Sequence, residues 1–533
     1  MSAAKQMKNT TQTNNFKLTR RSFLAAVGTS VAGLTLPQIS EAAKKENRPN
    51  ILFIMVDDLG KEWISCYGAE DIETPNIDAL AKTGMRFENA YSMPQCTPSR
   101  ATLLTGQYPW RTGWVNHWDV PRWGVGYFDW KLKENMTFAR ILKTAGYATA
   151  AVGKWQINDF RVTPDAMKKH GFDDWCMWTG YETGKPASAE RYWDAYINTP
   201  QDGSKTYAGK FGPDVYTDYM IRFITEHKDQ PMMLYFPMAL THGPLTTTPA
   251  EPDVETSVEK HKAMVRYTDL LVGRLCKALD ELRIRDRTII IFTTDNGSGG
   301  KHTGTLNGRK IRGGKAKKTE NGVCAPFIVN CPGLVPQAVV TDALTDFTDL
   351  LPTFAELSGA EVPKDLQIDG VSIAPLLLGK AKDSGRKWIM ALGHGAARLD
   401  EKGVRGQVDY TERVIRDKRY KVWVSEQRKI TQLYDLLSDP FEQKNLIASA
   451  KSDASSPLGM KKAPPPSMKK APLPSMKKAP LHPERSRRVS EVEGRAAIEK
   501  FQAVVDTMPE KDARPGYTPR KANPWEKKLP ASI

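Results

Sequence analysis

The chain has 533 residues, 40% hydrophobic and 26% charged, enough to bury one large domain core and a smaller companion. Its formal charge of +16 would suit a polyanion-binding protein, but the first 46 residues carry a net +5 and the last 83 a net +9. The body between is nearly neutral, which argues against nucleic acid as a partner.

The N-terminus reads as an address. Thr19-Arg20-Arg21-Ser22-Phe23-Leu24 matches a twin-arginine signal, residues 25–36 form a short apolar core, and Ser40-Glu41-Ala42 offers a cleavage site. Residues 1–42 are therefore expected to be a signal peptide that engages the twin-arginine translocase, with a periplasmic or secreted mature protein. The apolar run is too short to span a bilayer comfortably and no other segment reads as transmembrane, so no stable membrane insertion is expected.

From residue 47 onward, continuous apolar runs alternate with helical patterns. Residues 50–56, 147–152, 231–236 and 288–293 read as buried strands, and residues 77–83, 137–145, 215–227 and 259–282 as helices. That alternation predicts an α/β domain over 47–400, with a mostly parallel central sheet and helices on both faces. Over 401–449 the pattern changes to a hairpin at 413–424, turning at Asp417-Lys418, and predicts a smaller antiparallel-sheet subdomain. Met-Lys-Lys-Ala-Pro then recurs from Met460, Met468 and Met476 in a Lys/Pro-rich stretch, 450–494, expected to be a disordered insertion. A helical pattern resumes at 496–508, within a C-terminal helix and tail spanning 495–533.

Three of the strands end in polar residues. The first delivers Asp57-Asp58, the second Gly153-Lys154-Trp155 and the fourth Asp295-Asn296-Gly297. Ligands of open parallel sheets sit at the carboxyl ends of strands. If these ends are neighbours, three carboxylates and an amide oxygen meet beside a lysine. Such hard donors suit Ca²⁺, with Mg²⁺ as the alternative, better than zinc. Each pair alone is commonly just a turn or a helix cap. Cys96-Thr97-Pro98-Ser99-Arg100 supplies a second signal: Thr97 can cap a helix, Pro98 suits its first helical position and Gly106 can close it. Residue 96 then lies at a helix N-terminus, which favours an anion.

The Cys-x-Pro-Ser-Arg run resembles the signature of the type I sulfatases, members of the alkaline-phosphatase-like superfamily. The resemblance extends over about residues 48–446, including the Thr74-Pro75-Asn76-Ile77-Asp78 segment and the Leu433–Leu446 ending. It implies that Cys96 is oxidised to formylglycine by a formylglycine-generating or sulfatase-maturating enzyme. The hydrated aldehyde carries two hydroxyls on one carbon: one attacks the sulfate ester and the other allows release by reforming the aldehyde. It further implies that Asp57, Asp58, Asp295 and Asn296 hold Ca²⁺ together with residue 96 and that Arg100 orients the nucleophile. Lys154 and Lys315 would grip sulfate oxygens, and His242, in Thr241-His242-Gly243-Pro244, would contact the sulfate and protonate the leaving oxygen.

Two departures stand out. The family commonly has Gly-Lys-Trp-His where this chain has Gly153-Lys154-Trp155-Gln156, and glutamine cannot take a proton. His117 and His302 are alternatives for that role. Ala316-Lys317-Lys318-Thr319 also departs from the small and hydroxyl residues usual after the second lysine. Tryptophans 110, 114, 118, 123 and 130, interleaved with Arg111, His117 and Arg122, are either a stacking surface for sugar rings or packed core. With export, the cluster favours a sulfated carbohydrate as substrate. A phosphoester or phosphonate hydrolase of the same superfamily, and a catalytically dead carbohydrate-binding relative, are the competing readings. Of six cysteines, five remain if Cys96 is converted; none shows zinc-site spacing, and most are expected to be unpaired core residues.

Overall fold

A computed structural model of the chain describes residues 48–115, 136–158, 160, 163–178, 190–393, 398–400, 403–405, 408–447 and 483–514. The twin-arginine segment, His117, Arg122, Trp118, Trp123, Trp130 and the Met-Lys-Lys-Ala-Pro repeats lie outside the described residues.

The apolar runs form strands as the sequence predicts. β1 (Asn50–Val56), β3 (Ala148–Lys154), β7 (Met232–Pro237) and β8 (Thr288–Thr294) are joined by β2 (Met85–Tyr91), β4 (Asp174–Trp178), β5 (Tyr196–Thr199), β6 (Gly203–Thr206), β11 (Cys324–Asn330) and β12 (Val339–Asp346). Together they make a ten-stranded sheet in the order β12-β2-β11-β8-β1-β7-β3-β4-β5-β6. The middle, β8-β1-β7-β3-β4, is parallel throughout. Towards the edges the sheet becomes mixed, because β11 runs antiparallel to β8 and β2, and β5 antiparallel to β4 and β6. A short hairpin, β9 (Thr303–Leu306) and β10 (Arg309–Arg312), stands apart.

The continuous apolar character of the central strands follows from burial on both faces. In β1, Ile51, Phe53 and Met55 enter one core cluster while Leu52, Ile54 and Val56 enter the other. The helices α1 (Pro75–Lys82), α2 (Cys96–Thr105), α3 (Phe138–Thr144), α4 (Gly212–His227), α5 (Ser257–Glu281) and α6 (Leu350–Ser358) flank the sheet. Local chemistry fixes their starts: the Thr137 hydroxyl caps α3, and Thr256 with Glu259 forms a capping box on α5.

The second subdomain is a four-stranded antiparallel sheet of β13 (Ile389–Leu392), β16 (Arg413–Arg416), β17 (Tyr420–Val424) and β18 (Ile430–Asp435), with a separate pair, β14 (Arg398–Asp400) and β15 (Gly403–Arg405). The β16–β17 hairpin turns at Asp417-Lys418, where the Asp417 side chain accepts from the amides of Arg419 and Tyr420. A helix, α7 (Pro483–Asp506), follows the repeat segment and starts upstream of the expected residue 496. It packs Ala497, Phe501 and Val505 into a third cluster with Ile415, Val422 and Leu433. The same cluster includes Trp110, and Trp114 lies in the main core, so these two tryptophans are packing residues. Arg111 lies over Trp110 and pairs with Asp369 at 2.7 Å.

Candidate active site

Sheet order decides where the polar strand ends meet. β8, β1, β7 and β3 are successive parallel neighbours, so their carboxyl ends lie side by side. Main-chain pairing continues past them: Asp295 N donates to Val56 O (3.0 Å), Asp57 N to Leu240 O (2.8 Å) and Thr241 N to Asp57 O (2.7 Å). Asp57-Asp58, Asp295-Asn296, Lys154 and the His242 loop are thereby gathered at one edge.

Helix α2 enters the same edge with its N-terminus. Its cap is Gln95, in extended conformation, and Cys96 is the first helical residue. The expected Thr97 cap is thus displaced by two positions, and Pro98 is the third helical residue instead of the first. Gly106, at φ 65°, closes the helix in the left-handed region as expected. All ten residues of the helix are buried, Arg100 completely. Ser99, which sequence reasoning did not single out, ties this helix to β8: its hydroxyl donates to Asp295 O at 2.5 Å and accepts from Met93 N at 3.1 Å.

The charged groups interlock. Arg100 Nη2 lies 2.9 Å from Asp295 Oδ2 and 3.4 Å from Asp57 Oδ2, and its Nη1 donates to Lys154 O at 2.9 Å. Lys154 Nζ pairs with Asp57 Oδ2. Lys315 Nζ pairs with Asp58 Oδ2 at 2.7 Å, and Asn296 Nδ2 donates to Asp58 Oδ1 at 2.8 Å. The buried Cys96 side chain lies within electrostatic reach of Arg100, Asp295 and Lys315. All nine residues singled out from the sequence therefore converge.

Burial opposes the charge on Asp57, but the Lys154 ammonium, with Arg100 and Lys315, outweighs it and holds its carboxyl well below the usual range. Asp295 goes the other way: burial and the neighbouring Asp57 raise it, and Arg100 offsets this only in part. Burial alone would lower the Lys315 ammonium; Asp58 and its neighbours raise it instead. His242 is held well below its ordinary value, first by burial and then by Lys315 and Lys154, so it is neutral. Its Nδ1–H donates to Gly243 O at 2.7 Å, which leaves Nε2 as a bare lone pair 3.7 Å from Asp58 Oδ2. In this state His242 presents an acceptor to the site.

The donor set fits a hard divalent cation. Asp57 Oδ1 and Asn296 Oδ1 are buried with no hydrogen-bond donor, which costs free energy unless a cation or ligand meets them. Asp57, Asp58 and His242 also offer ligand atoms within 4.8 Å of one another. A cation there would relieve the carboxylate repulsion that raises Asp295.

The departures from the family pattern are also placed. Gln156 follows β3 at φ 65°, with Oε1 buried and without a partner. His302 stacks on His261 with ring centroids 4.0 Å apart, and its carbonyl accepts from Gly313 N. Lys318 turns from the site to pair with Glu412 at 3.0 Å, while Ala316 N donates to Pro94 O just ahead of Cys96. Cys66, Cys176, Cys276, Cys324 and Cys331 are not in disulfides.

Comparison with known proteins agrees with this geometry. The family model described as Sulfatase matches residues 49–360, and that described as N-sulphoglucosamine sulphohydrolase, C-terminal, matches residues 315–458. The chain is 31% identical over 383 residues to N-acetylgalactosamine-6-sulfatase of Canis lupus familiaris, covering 67% of this chain and 69% of that protein. It is 29% identical over 478 residues to N-acetylgalactosamine-6-O-sulfatase of Bacteroides thetaiotaomicron, covering 76% and 90%. The solved structure of Ps i-CgsB in complex with k-i-k-neocarrahexaose superposes with a TM-score of 0.63 at 27% identity, over 76% of this chain and 90% of that one. The chain belongs to the type I sulfatase family and is a sulfuric ester hydrolase.

Proposed function

We propose that the chain is an exported sulfatase that removes sulfate from a sulfated carbohydrate, with residue 96 converted to formylglycine and Ca²⁺ held by Asp57, Asp58, Asp295, Asn296 and residue 96. Mg²⁺ is the alternative cation. The observation that carries this reading is the burial of Cys96 at a helix N-terminus, against Arg100, beside two orphaned oxygens of the acidic cluster. Relatives named N-acetylgalactosamine-6-sulfatase, and a neighbour solved in complex with k-i-k-neocarrahexaose, support a carbohydrate ester over a phosphoester.

As formylglycine hydrate, residue 96 supplies a geminal diol, one hydroxyl for attack on sulfur and the other for release. A divalent cation held by Asp57, Asp58, Asp295 and Asn296 would supply positive charge that favours the ionised nucleophile and the sulfate group. The remaining work belongs to the chain. Arg100 holds the nucleophile's charge while fixed by Asp295 and the Lys154 carbonyl. Lys154 and Lys315, which pair with Asp57 and Asp58, would turn their ammonium groups onto sulfate oxygens, matching charge that spreads there in the transition state. His242 Nε2, an acceptor in the resting site, would contact the ester, take the proton that the attacking hydroxyl gives up and pass it to the leaving oxygen as the S–O bond breaks. A formylglycine-generating enzyme and the twin-arginine translocase are the maturation partners. The Thr19-Arg20-Arg21 signal supports export, and among the described residues no helix is long and apolar enough to cross a membrane.

Two measurements test this. Mass spectrometry of the peptide spanning residue 96 should show a loss of about 18 Da, the thiol-for-aldehyde exchange the chemistry requires. Purified protein should release sulfate from N-acetylgalactosamine 6-sulfate or carrageenan oligosaccharides faster than from 4-methylumbelliferyl sulfate, and should leave phosphate esters nearly untouched. Full activity with an unmodified cysteine, or a preference for phosphate esters, would refute it.

A further inference from the structure

Five arginines of the described chain are buried: Arg100, Arg191, Arg386, Arg413 and Arg416. Four are matched by a carboxylate at short range: Arg100 by Asp295, Arg386 by Asp349, Arg413 by Asp512 and Arg416 by Glu320. Arg191, 3% exposed, pairs with no carboxylate among the described residues. Its guanidinium lies 4.2 Å over the Trp178 ring, Nη1 makes only a long contact to Gly243 O (3.5 Å), and Nε is buried without a partner. The Tyr192 phenol lies within hydrogen-bond reach of it, and the Tyr216 phenol and the His242 ring feel its charge; none of the three is an anion at ordinary pH. Burying a cation without a counter-charge is costly, and guanidinium is the side chain best shaped to hold an oxyanion in two-pronged fashion.

Its position gives this cost a use. Trp178 ends β4 in register with Lys154 at the end of β3, so the Trp178–Arg191 stack flanks the lysine on the side away from β7. The Tyr192 hydroxyl sits between the carbonyls of His242 (2.5 Å) and Ala239 (2.7 Å), anchoring the loop that carries His242. Arg191 thus touches the residue next to His242 from outside the acidic cluster. It shares no contact with Asp57, Asp58 or Asp295, so it is not needed to neutralise them.

We propose that Arg191 is a specificity-determining residue that binds a second anionic group of the substrate, a carboxylate or a further sulfate, on the sugar bearing the scissile ester or on the sugar next to it. This rests on the sulfatase reading and deepens it: the preferred substrate carries at least two negative groups. The aromatic face under the planar guanidinium holds its orientation and shields one face from water, which strengthens a charge-assisted contact.

The test compares wild type, Arg191→Ala and Arg191→Lys on three probes: a monosaccharide 6-sulfate, the same sugar with a second sulfate, and a disaccharide that adds a uronate carboxylate. In wild type, kcat/KM should be higher on one dianionic probe than on the mono-anionic one, and which probe wins identifies the group bound. Arg191→Ala should reduce that ratio on the order of tenfold to a hundredfold, mainly through KM, as expected for loss of a charge-assisted pair. Arg191→Lys should recover part of it. An unchanged ratio, or an equal fall on all three probes as for a purely structural support of the His242 loop, would overturn the proposal. If Arg191→Ala does not fold, the lysine variant and Arg191→Met carry the same comparison. Wild type that hydrolyses none of the probes would sink the functional reading; calorimetric binding of the disulfated sugar to wild type against Arg191→Ala would then decide this proposal separately.

Discussion

Arg100 Nη1 donates to the main-chain carbonyl of Lys154 at 2.9 Å, while the Lys154 ammonium reaches Asp57. One end of β3 therefore fixes the arginine of the Cys96 helix through its backbone and neutralises the acidic cluster through its side chain. The fork geometry matters, because the same guanidinium also reaches Asp295 and Asp57. Arg100→Lys keeps the charge but cannot make these contacts together. It should lower kcat by about two orders of magnitude, the scale for losing a preorganised donor at a reacting group. Arg100→Ala leaves Asp295 buried without its cation and should destabilise the fold by about 3–5 kcal/mol. Denaturant melts with steady-state kinetics check both, and near-wild-type turnover by the lysine variant would show that charge alone suffices.

Cation removal should act on stability as well as rate. With Asp57 Oδ1 and Asn296 Oδ1 buried and unpartnered, the folded state gains more from a divalent ion than the unfolded chain does. Calorimetric Tm should rise with added Ca²⁺, by about 2.7 kcal/mol of stability at a hundred times Kd. Chelator-treated protein should lose activity and regain it on adding Ca²⁺. Asp295→Ala should abolish the Tm response, and a Tm indifferent to Ca²⁺ and Mg²⁺ in the wild type would exclude a resident ion of this kind.

Gln156 occupies the position after Trp155 with a buried, unpartnered Oε1 and a left-handed backbone that histidine tolerates about as well. Gln156→His places a titratable ring where only an amide stands. The kcat–pH profile should acquire an additional limb in the range where imidazole titrates, about pH 5–8, while KM changes little. A change confined to KM would mark Gln156 as a substrate contact instead.

The sequence carried the strand set because each central strand is apolar on both faces, and it carried the metal-type ligands because Asp57-Asp58 and Asp295-Asn296 directly follow such strands. What it did not carry was adjacency. That β7 lies between β1 and β3, bringing His242 to Lys154, is a nonlocal pairing with no local signature. The Thr97 cap was misplaced because the helix already starts after Gln95, which is extended and makes no side-chain cap, and Ser99 N donates to Gln95 O at 3.2 Å. Arg191 was invisible for a similar reason. Nothing in Glu190-Arg191-Tyr192 reveals that this arginine is buried without a carboxylate, a property of the folded surroundings. Trp110 and Trp114 turned inward since apolar area outweighs a free stacking face when a core is within reach.

The join between the two subdomains gives an acid-sensitive prediction. Glu320, just after the Lys315 loop, receives Arg416 at 2.8 Å and Lys421 at 2.9 Å from the antiparallel sheet, with Tyr91 donating from the main sheet. Burial would raise its pKa, but Lys421 and Arg416 outweigh that and bring it from 4.5 down to about 2. Because the folded value lies below the unfolded one, the contribution is present above about pH 4.5 and is lost as pH falls toward about 2. It amounts to on the order of 3 kcal/mol at neutral pH. Glu320→Gln removes the charge and leaves Arg416 without its carboxylate, although Lys421 still has Glu442 at 3.0 Å. The variant should therefore be less stable than wild type at pH 7, and the difference should shrink as pH falls from 4.5 toward 2. Urea unfolding at a series of pH values measures this directly. A gap between wild type and Glu320→Gln that stays constant across that window would mean that the join is held by the apolar cluster in which Tyr91, Val323 and Leu344 meet Ile415 and Val422, and not by the buried ion cluster.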